Sequence, residues 1–435
     1  MLKRILLTPI QKFIKLESFS GILLLAATLL ALIWANSGYG SAYQELWQYK
    51  IGIVTDSFEF KKPLILWIND GFMAVFFFLI GLEIKRELLI GELNSAKKMA
   101  FPLFGALGGM IVPVAFFILL NNNPETFQGW GVPMATDIAF SLAVLNALGS
   151  RIPLSLKIFL TAFAIVDDIG AVLVIAIFYS GTINTTLLLI AAVLLLLLYF
   201  LSYKDLYSNV TLVLVGAVVW FLFLKSGVHP TVAGILLAFS VPVKQRIYTN
   251  AFLKKLQQVY NKLKASAISQ KPILSNDQLK QIHDLEHYSY EFQSPLQRLE
   301  HKLHGWVAYF IIPVFALANA GVMISSDVEL DMALTFHIVI ALVLGKALGI
   351  PLLVFIAEKT KLITIPSNIN YYQIIGVAFL AGIGFTMAIF IASLAFSNSP
   401  QYIDSAKIGI LLGSLIAAVV GYLILRFAPR KEDLL

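Results

Sequence analysis

Long apolar runs recur from one end of this 435-residue chain to the other, separated by short polar turns. A run of about 17–25 residues crosses a bilayer as a helix, because the backbone must satisfy its own hydrogen bonds there. Charged residues make up only 13% of the chain, whereas soluble domains contain about 25%. We therefore predict an all-α integral membrane protein, with one transmembrane domain (1–435) of about 12 transmembrane helices. The runs are Ser20–Ala35, Leu64–Leu82, Met99–Leu120, Gly129–Leu148, Leu156–Tyr179, Thr185–Leu201, Thr211–Leu224, Val228–Pro242, Trp306–Met323, Leu334–Ile356, Ile374–Phe396 and Ala406–Leu425.

The distribution of Lys and Arg predicts the orientation. If the N-terminus, with Lys3 and Arg4, is cytoplasmic, most of the 32 Lys and Arg residues lie in loops on that side. This asymmetry follows the positive-inside rule, so both termini are predicted to be cytoplasmic. The net charge of +7 then reflects orientation and gives no reason to expect nucleic-acid binding. The opposite side receives only Lys50, Lys61, Lys62, Lys225 and Lys407.

Two segments are not membrane-like. Residues 36–62 are predicted to lie outside, and the alternation and aromatic residues of Trp47–Thr55 favour a short hairpin there. Residues 244–302 are predicted to lie inside as a cytoplasmic loop. That loop is rich in Lys, Gln and Ser and has amphipathic helical patterns near Phe252–Leu263 and Leu279–Leu303.

Two adjacent aspartates, Asp167 and Asp168, lie in the middle of the fifth run. A carboxylate at that depth costs about 2.5–3.5 kcal/mol, so the pair predicts an ion or proton site that faces a wet cavity. Neighbouring helical residues point about 100° apart, so one aspartate can face Asp137 in the fourth run and the other a different partner. Lys346, in the tenth run, is the natural counter-ion. A purely structural pairing is less favoured, because buried ion pairs stabilise poorly.

The fourth and eleventh runs are interrupted in mid-membrane, by Pro133 in one and by Gly382 and Gly384 in the other. Proline removes a backbone donor and glycine loosens a helix. The two runs lie seven apart and so enter the membrane from opposite faces, which indicates an inverted repeat. Interrupted spans in matching positions are a pointer to the binding site of a transporter.

The residue types near these breaks suit a small hard cation, which prefers oxygen ligands. Asp167 and Asp168, with Thr136 and exposed backbone carbonyls, are predicted to bind Na⁺ or Li⁺, and the same carboxylates can bind protons. A site that accepts either Na⁺ or H⁺ performs exchange if it faces each side of the membrane in turn.

Eight short motifs carry a family resemblance. They are Ile68-Asn-Asp-Gly71, Gly81-Leu-Glu-Ile-Lys-Arg-Glu87, Ala135-Thr-Asp-Ile-Ala-Phe140, Gly149-Ser-Arg-Ile-Pro-Leu154, Leu156-Lys-Ile-Phe159, Ala164-Ile-Val-Asp-Asp168, Lys225-Ser-Gly-Val-His229 and Gly382-Ile-Gly-Phe-Thr-Met387. Over nearly the whole chain, the sequence resembles the NhaA family of bacterial Na⁺/H⁺ antiporters.

The resemblance implies twelve helices, with an inverted repeat and two crossing discontinuous helices (spans 4 and 11). It implies electrogenic, pH-regulated export of Na⁺ and Li⁺ driven by H⁺ entry, in a bacterial inner membrane. Ion binding falls on Asp167 and Asp168, with support from Asp137, Thr136 and Lys346. The resemblance and the alternating aromatic residues of the outer hairpin together predict that this hairpin contributes to a homodimer contact.

The resemblance implies that a group of charged residues senses pH. Histidine titrates in the appropriate range, whereas the alternative interpretation is ordinary charge at helix ends. His229 is a weaker candidate for the same role. Asp70 is predicted to be an N-cap at the outer interface, with a role in the ion path as the alternative. The main group is Glu83, Arg86, Glu87, Glu300, His301 and His304.

Other function classes find less support in the sequence. The absence of cysteine excludes disulfides and thiol chemistry, and no nucleophile–base set or nucleotide loop predicts an enzyme or a cofactor. The spacing of His283-Asp-Leu-Glu-His287 matches a zinc-protease motif, but it lies in the charged loop and is explained by a solvated helix. A cation channel and a symporter of another substrate remain as alternatives. A requirement for a proton gradient would exclude the channel.

Overall fold

The computed structural model describes residues 9–56, 58–91, 93–204, 206–266, 273–323 and 330–429. These residues are almost entirely helical. The helices are α1 (Pro9–Ala35), α2 (Gly40–Gln48), α3 (Leu64–Ile90), α4 (Ala96–Leu120), α5 (Ile138–Ala147), α6 (Leu154–Phe178), α7 (Thr185–Tyr203), α8 (Asn209–Ser226), α9 (Thr231–Ser240), α10 (Thr249–Ser266), α11 (Asn276–Phe292), α12 (Pro295–Trp306), α13 (Ile312–Asn319), α14 (Met332–Lys359), α15 (Tyr371–Ala381), α16 (Phe385–Ala395) and α17 (Gln401–Phe427). A 3₁₀ helix spans Pro124–Met134, and the two strands are β1 (Lys50–Thr55) and β2 (Phe58–Pro63).

Three π-helical turns interrupt the regular helices. Trp67–Phe72 lies within α3, Val307–Ile311 joins α12 to α13, and Ala341–Gly345 lies within α14, directly before Lys346. Such turns are rare and are frequent at functional sites.

Among the described residues, seven helices are long and apolar enough to cross a membrane, or nine if two bent pairs each count as one span. The protein is therefore an all-helical, multi-pass membrane protein. The count of about 12 is not reached by helix length alone. The fourth run contains a 3₁₀ helix and the short α5, and the eighth run contains only α9, with ten residues. Ten helical residues span about 15 Å, half of the hydrocarbon thickness.

Burial separates central from peripheral helices. In α6, 61% of the most apolar stretch is buried, whereas in α7 the share is 11%. Only Ala191 and Leu198 of α7 are buried, and its exposed side chains, such as Leu189 and Leu196, face outward where lipid tails would lie. The two adjacent aspartates are thus carried by a helix at the centre of the bundle.

Glycines allow α4 and α14 to approach closely. A Cβ atom added to Gly108 would lie 2.1 Å from the carbonyl oxygen of Gly349, and one added to Gly349 would lie 2.2 Å from that of Gly108. Small residues at such crossings let helix backbones touch in a membrane. Lys346 precedes Gly349 by less than one turn of α14. The contact between Gly108 and Gly349 therefore sets the depth of Lys346 in the bundle.

The two broken spans cross at their breaks. α15 and α16 meet at an angle of 45°, and the 3₁₀ helix ends at Met134, just before α5. The backbone N–H of Asp137 donates to the carbonyl of Ile383 at 2.7 Å. The side chains of Thr136 and Ser141 donate to the carbonyls of Ala381 (3.0 Å) and Leu380 (2.8 Å). Residues at the break of the fourth span therefore donate hydrogen bonds to carbonyl groups that the break of the eleventh span leaves without helical partners.

An antiparallel hairpin precedes α3. Lys50 pairs with Pro63 at its base and Thr55 with Phe58 at its tip. Trp47, which the alternation assigned to the hairpin, instead lies at the end of α2, buried and edge-on to Tyr43 at 5.9 Å. That assignment was wrong because the tryptophan packs on its own helix. The outer location of the hairpin stays a prediction.

The predicted loop 244–302 is mostly helical in its described part. α10 and α11 pack antiparallel, with the rings of Phe252 and Phe292 stacked at 4.3 Å and an ion pair of 3.3 Å between Lys255 and Glu291. The second amphipathic pattern, Leu279–Leu303, is divided between α11 and α12. Pro295 begins the new helix, at a position where its missing N–H has no cost.

Candidate functional site

Asp167 and Asp168 lie near the middle of α6 and are 1% and 2% exposed. Being consecutive on a helix, they point in different directions. The structure decides what the sequence left open, because the two carboxylates have different surroundings. Asp167 faces α14, and Asp168 faces an internal cavity.

Lys346 is the partner of Asp167. Its fully buried ammonium group lies 3.0 Å from Asp167 Oδ2 and donates a second hydrogen bond to the hydroxyl of Thr136 at 2.5 Å. Removing one member of such a pair would leave an uncompensated buried charge. Three elements are thereby joined at one point: α6, α14 and the break of the fourth span.

Asp168 lines a cavity of about 50 Å³. A buried water needs about 10–15 Å³ of such space, so the cavity has room for a few water molecules. It extends from the break, at Thr136 and Asp137, to Glu83 and His304. The site thus communicates with one end of the bundle. We call this the charged end, defined by Arg86, Glu87 and Glu300, and call the end with strands β1 and β2 the hairpin end.

Each of the two aspartates keeps one buried oxygen without a hydrogen-bond partner among the described residues: Oδ1 of Asp167 and Oδ2 of Asp168. Buried carboxylate oxygens are normally paired, and exceptions need an explanation. A cation or a proton supplied from outside the protein is the kind of partner that a buried carboxylate oxygen accepts. The described part of the chain contains no group of three or more His, Asp or Glu residues placed to hold a metal ion. A cation here would therefore need hydroxyl, backbone or water oxygens besides these carboxylates.

Asp137 has a different role in the geometry. Its Oδ1 accepts from the N–H of Phe140 (2.9 Å), which caps the N-terminus of α5, and its Oδ2 accepts from the N–H (3.2 Å) and the hydroxyl (2.5 Å) of Thr386. Asp137 therefore joins the two broken spans. Sequence reasoning did not select Thr386 as a site residue, although it lies in the interrupted segment, and a hydroxyl next to a mid-membrane break was the available signal.

The break residues lie where the two spans touch. A Cβ atom on Gly384 would be 3.2 Å from the carbonyl oxygen of Ala135 in the fourth span, whereas one on Gly382 would be 2.8 Å from that of Leu342 in α14. Pro133 lies inside the 3₁₀ helix and is buried. A side chain at Gly384 would crowd the fourth span, and one at Gly382 would push the eleventh span away from α14.

The charged end brings five of the six predicted pH-sensing residues together. Arg86 bonds both Glu87 (2.9 Å) and Glu300 (3.0 Å), and His304 Nδ1 lies 3.8 Å from Glu83. Burial raises the pKa of Glu300 to about 7, although the nearby Arg86 opposes the shift. His301 is exposed and lines a separate surface hollow with Arg298 and Tyr290.

Asp70 is not an N-cap. It lies inside the π-helical turn of α3, where its carboxylate forms an ion pair of 2.9 Å with Lys62 of β2 and lies 3.6 Å from His229 Nε2. The prediction was wrong because α3 begins six residues earlier, at Leu64. His229 is partly buried, with its Nδ1 2.7 Å from the hydroxyl of Thr231 and its ring edge-on to Phe390 at 5.4 Å, so both Asp70 and His229 belong to the hairpin end and lie apart from the charged end.

Comparison with known proteins gives a consistent result. A sequence model of the family described as Na⁺/H⁺ antiporter 1 matches residues 11–425. A Na⁺/H⁺ antiporter NhaA of Oleidesulfovibrio alaskensis is 46% identical over 431 residues, covering 98% of this chain and 96% of that protein. A protein of the same name from Bacteroides fragilis is 42% identical over 437 residues, covering 98% and 99%. Na⁺/H⁺ antiporter NhaA 1 of Saccharophagus degradans is 43% identical over 422 residues, covering 96% and 91%.

Proposed function

This chain belongs to the NhaA family of Na⁺/H⁺ antiporters and exchanges Na⁺ for H⁺ across a membrane, and we propose that Asp167 and Asp168 are the residues that bind both ions. The observation that carries this proposal is the pair of unpartnered carboxylate oxygens, one on each aspartate, in the centre of the bundle. Oxygen atoms at that depth can replace part of the hydration shell of a small cation.

Competition between Na⁺ and H⁺ follows from the contacts of the site. Asp168 borders the cavity and meets an arriving ion first. Asp167 is already paired with Lys346 through Oδ2, so a Na⁺ ion that takes this oxygen as well as Oδ1 must displace the ammonium group. A buried ammonium without its counter-ion is disfavoured, and Lys346 would release a proton. Binding of Na⁺ and retention of protons are then mutually exclusive.

Unequal exchange is part of the proposal. One proton would leave with Lys346 and a second with Asp168, for one Na⁺ bound. Exchange would then move net charge and respond to the membrane potential. The same oxygen ligands would accept Li⁺, another small hard cation.

Regulation by pH is proposed for the cluster of Glu83, Arg86, Glu87, Glu300 and His304. It stands at the mouth of the cavity that leads to Asp168. A change in its charge would change the field along the path of the arriving cation. We further propose that the charged end faces the cytoplasm of a bacterium, with the protein in the inner membrane, because the predicted topology assigns most Lys and Arg residues to the loops of that side.

The site assignment is tested in everted membrane vesicles by adding Na⁺ and following the collapse of an imposed pH gradient. Asp168→Asn keeps the size of the side chain but removes its charge, and we expect it to abolish Na⁺-dependent proton movement. Asp404→Asn is the matched control, because Asp404 is 39% exposed and lies in α17, outside the site. Near-normal exchange with Asp168→Asn protein would refute the assignment.

A further inference from the structure

The hydroxyl of Tyr179 connects α6 to the 3₁₀ helix of the fourth span. Tyr179 is the residue directly after α6, at the hairpin end. Its hydroxyl donates to the carbonyl of Gln128 at 2.7 Å and accepts from the N–H of Gly131 at 3.2 Å. Gln128 and Gly131 are three residues apart, which is the spacing of a hydrogen-bonded pair in a 3₁₀ helix. One side-chain group therefore contacts both members of such a pair.

Aromatic packing holds the hydroxyl in this place. The ring of Tyr179 stacks on Trp130 at 6.1 Å with an angle of 23°, and Trp130 meets Phe178 edge-on at 5.1 Å. A Cβ atom on Gly131 would lie 2.6 Å from the Tyr179 hydroxyl oxygen, so a glycine is required for this close approach. A tyrosine that served only as an interfacial anchor would direct its hydroxyl to water. Here the hydroxyl is directed to backbone.

Both ends of this connection lead to the ion site. Tyr179 follows Asp168 by eleven residues along a continuous helix, which is about 16 Å. In the other direction, Gly131 precedes Thr136 by five residues, and Thr136 accepts the hydrogen bond from Lys346. At the hairpin end, the 3₁₀ helix is thus joined to the end of α6 by the hydroxyl of Tyr179 and by the ring contacts of Trp130, and it is continuous with the break at mid-depth.

We propose that Tyr179 is a positioning residue for exchange, whose hydroxyl holds the 3₁₀ helix Pro124–Met134 against α6 and so favours the arrangement in which the ion site opens to the charged end. In this proposal, exposure of the site to the hairpin end moves the 3₁₀ helix away from α6 and breaks these two hydrogen bonds. This inference rests on the proposed function, because it assumes that ions bind beside Thr136 and Asp168.

The test compares the half-saturating Na⁺ concentration measured from each side, in everted and in right-side-out vesicles. Tyr179→Phe should weaken apparent Na⁺ affinity from the charged end and strengthen it from the hairpin end. Apparent affinity scales with the population of the state that binds, so the ratio of the two values reports the equilibrium between the two arrangements. We expect the ratio to change at least about fivefold, which is the effect of one typical net hydrogen bond, because the variant loses both bonds of the hydroxyl.

Two further variants make the result decisive. Tyr203→Phe removes the hydroxyl of a tyrosine that is 76% exposed at the end of α7 and should leave the ratio unchanged. Gly131→Ala disturbs the same contact from the other side and should shift the ratio in the same direction. In the double variant, Gly131→Ala should change the ratio by less than it does alone, because both substitutions remove the same interaction.

Each outcome has a distinct meaning. An active Tyr179→Phe protein with an unchanged ratio would overturn the inference, even if its thermal stability or yield were lower. Should that variant not fold, Gly131→Ala decides by the same measure. Exchange that survives in Asp168→Asn protein would instead overturn the proposed site, whatever Tyr179→Phe does.

Discussion

The ion site and the charged end contain the same kinds of groups but balance them differently. In the site, Lys346 is paired with Asp167, while Asp168 faces the cavity, and both aspartates keep an unpartnered oxygen. At the charged end, Arg86 bonds two glutamates at once, and its side chain is 30% exposed, compared with 0% for Lys346.

This difference has a physical consequence. A dry site with excess carboxylate oxygen can be neutralised only by a cation or protons that enter it. A partly hydrated cluster can adjust its own charge, because water and an arginine moderate each ionisation. The first arrangement suits transport and the second suits sensing. We therefore expect the largest effects from disturbing the ion site, smaller effects from the charged end, and the smallest from the hairpin.

The largest effect should come from Lys346. Lys346→Met leaves Asp167 as an uncompensated buried charge, so we expect loss of exchange and a destabilisation of about 3–5 kcal/mol, measured by thermal unfolding in detergent. Adding Asp167→Asn should recover most of the stability but no exchange. A double variant as unstable as Lys346→Met alone would contradict the pairing.

A large effect is also expected from the membrane potential on the wild-type protein. Unequal exchange should respond to voltage at about 2.3 kcal/mol per net charge per 100 mV. Turnover is measured in vesicles at fixed pH and Na⁺ gradients, with the potential clamped by valinomycin and K⁺. If turnover is independent of voltage, exchange is electroneutral and Lys346 is only a structural partner of Asp167.

A moderate effect should follow from Glu300→Gln. The pKa of Glu300 is raised to about 7 by burial, so its carboxyl group is neutral below that pH and ionised above it. Its contribution to stability is complete below its ordinary pKa of 4.5 and is lost as the pH rises through 7. The side chain at position 300 of the Glu300→Gln variant is neutral at every pH, so the variant should not lose this stability as the pH rises through 7.

The same variant should shift the pH dependence of exchange by about one unit, a common size of perturbation in folded proteins. Arg86, Glu83, Glu87 and His304 all surround Glu300 and would respond to its charge. Glu291→Gln is the control, because Glu291 belongs to α11 and pairs with Lys255. Identical pH profiles for wild type and Glu300→Gln would remove Glu300 from the sensing cluster.

The smallest effect on exchange should come from the hairpin. Replacing residues 52–60 with a short Gly-Ser turn keeps Trp47 in its packing and Lys62 beside Asp70. We expect a lower dimer fraction in detergent, measured by light scattering, with exchange changed less than twofold if the site is as separate as its geometry indicates. An unchanged dimer fraction would count against a homodimer contact at the hairpin.

Several features could be read from residues alone because the bilayer makes them local. A carboxylate in an apolar run is costly wherever the run packs, so Asp167, Asp168 and Lys346 were identifiable without coordinates. Interruptions by Pro133 or by Gly382 and Gly384 likewise disturb their own helices. The cluster around Arg86 could not be predicted from local sequence alone, because only the family resemblance connected residues of the second run with residues that precede the ninth.

Other features depended on contacts between distant parts of the chain. Asp70 resembled a cap because the start of α3 could not be located from composition. Thr386 and Tyr179 appeared ordinary because a hydroxyl in an apolar run has no meaning until its partners are known. The 3₁₀ geometry of Pro124–Met134 was equally hidden, since apolar content does not distinguish helix types.

The sequence by itself determined that this chain crosses a membrane many times, carries two aspartates and a lysine at depth, and breaks two spans beside them. Only the tertiary structure decided that Lys346 pairs with Asp167, that Asp168 faces the cavity, and that Asp137 joins the breaks through Thr386. The reason is geometric. Hydropathy depends on which residues a helix contains, whereas pairing depends on its rotation and depth against its neighbours, and these are set by close contacts such as that of Gly108 with Gly349.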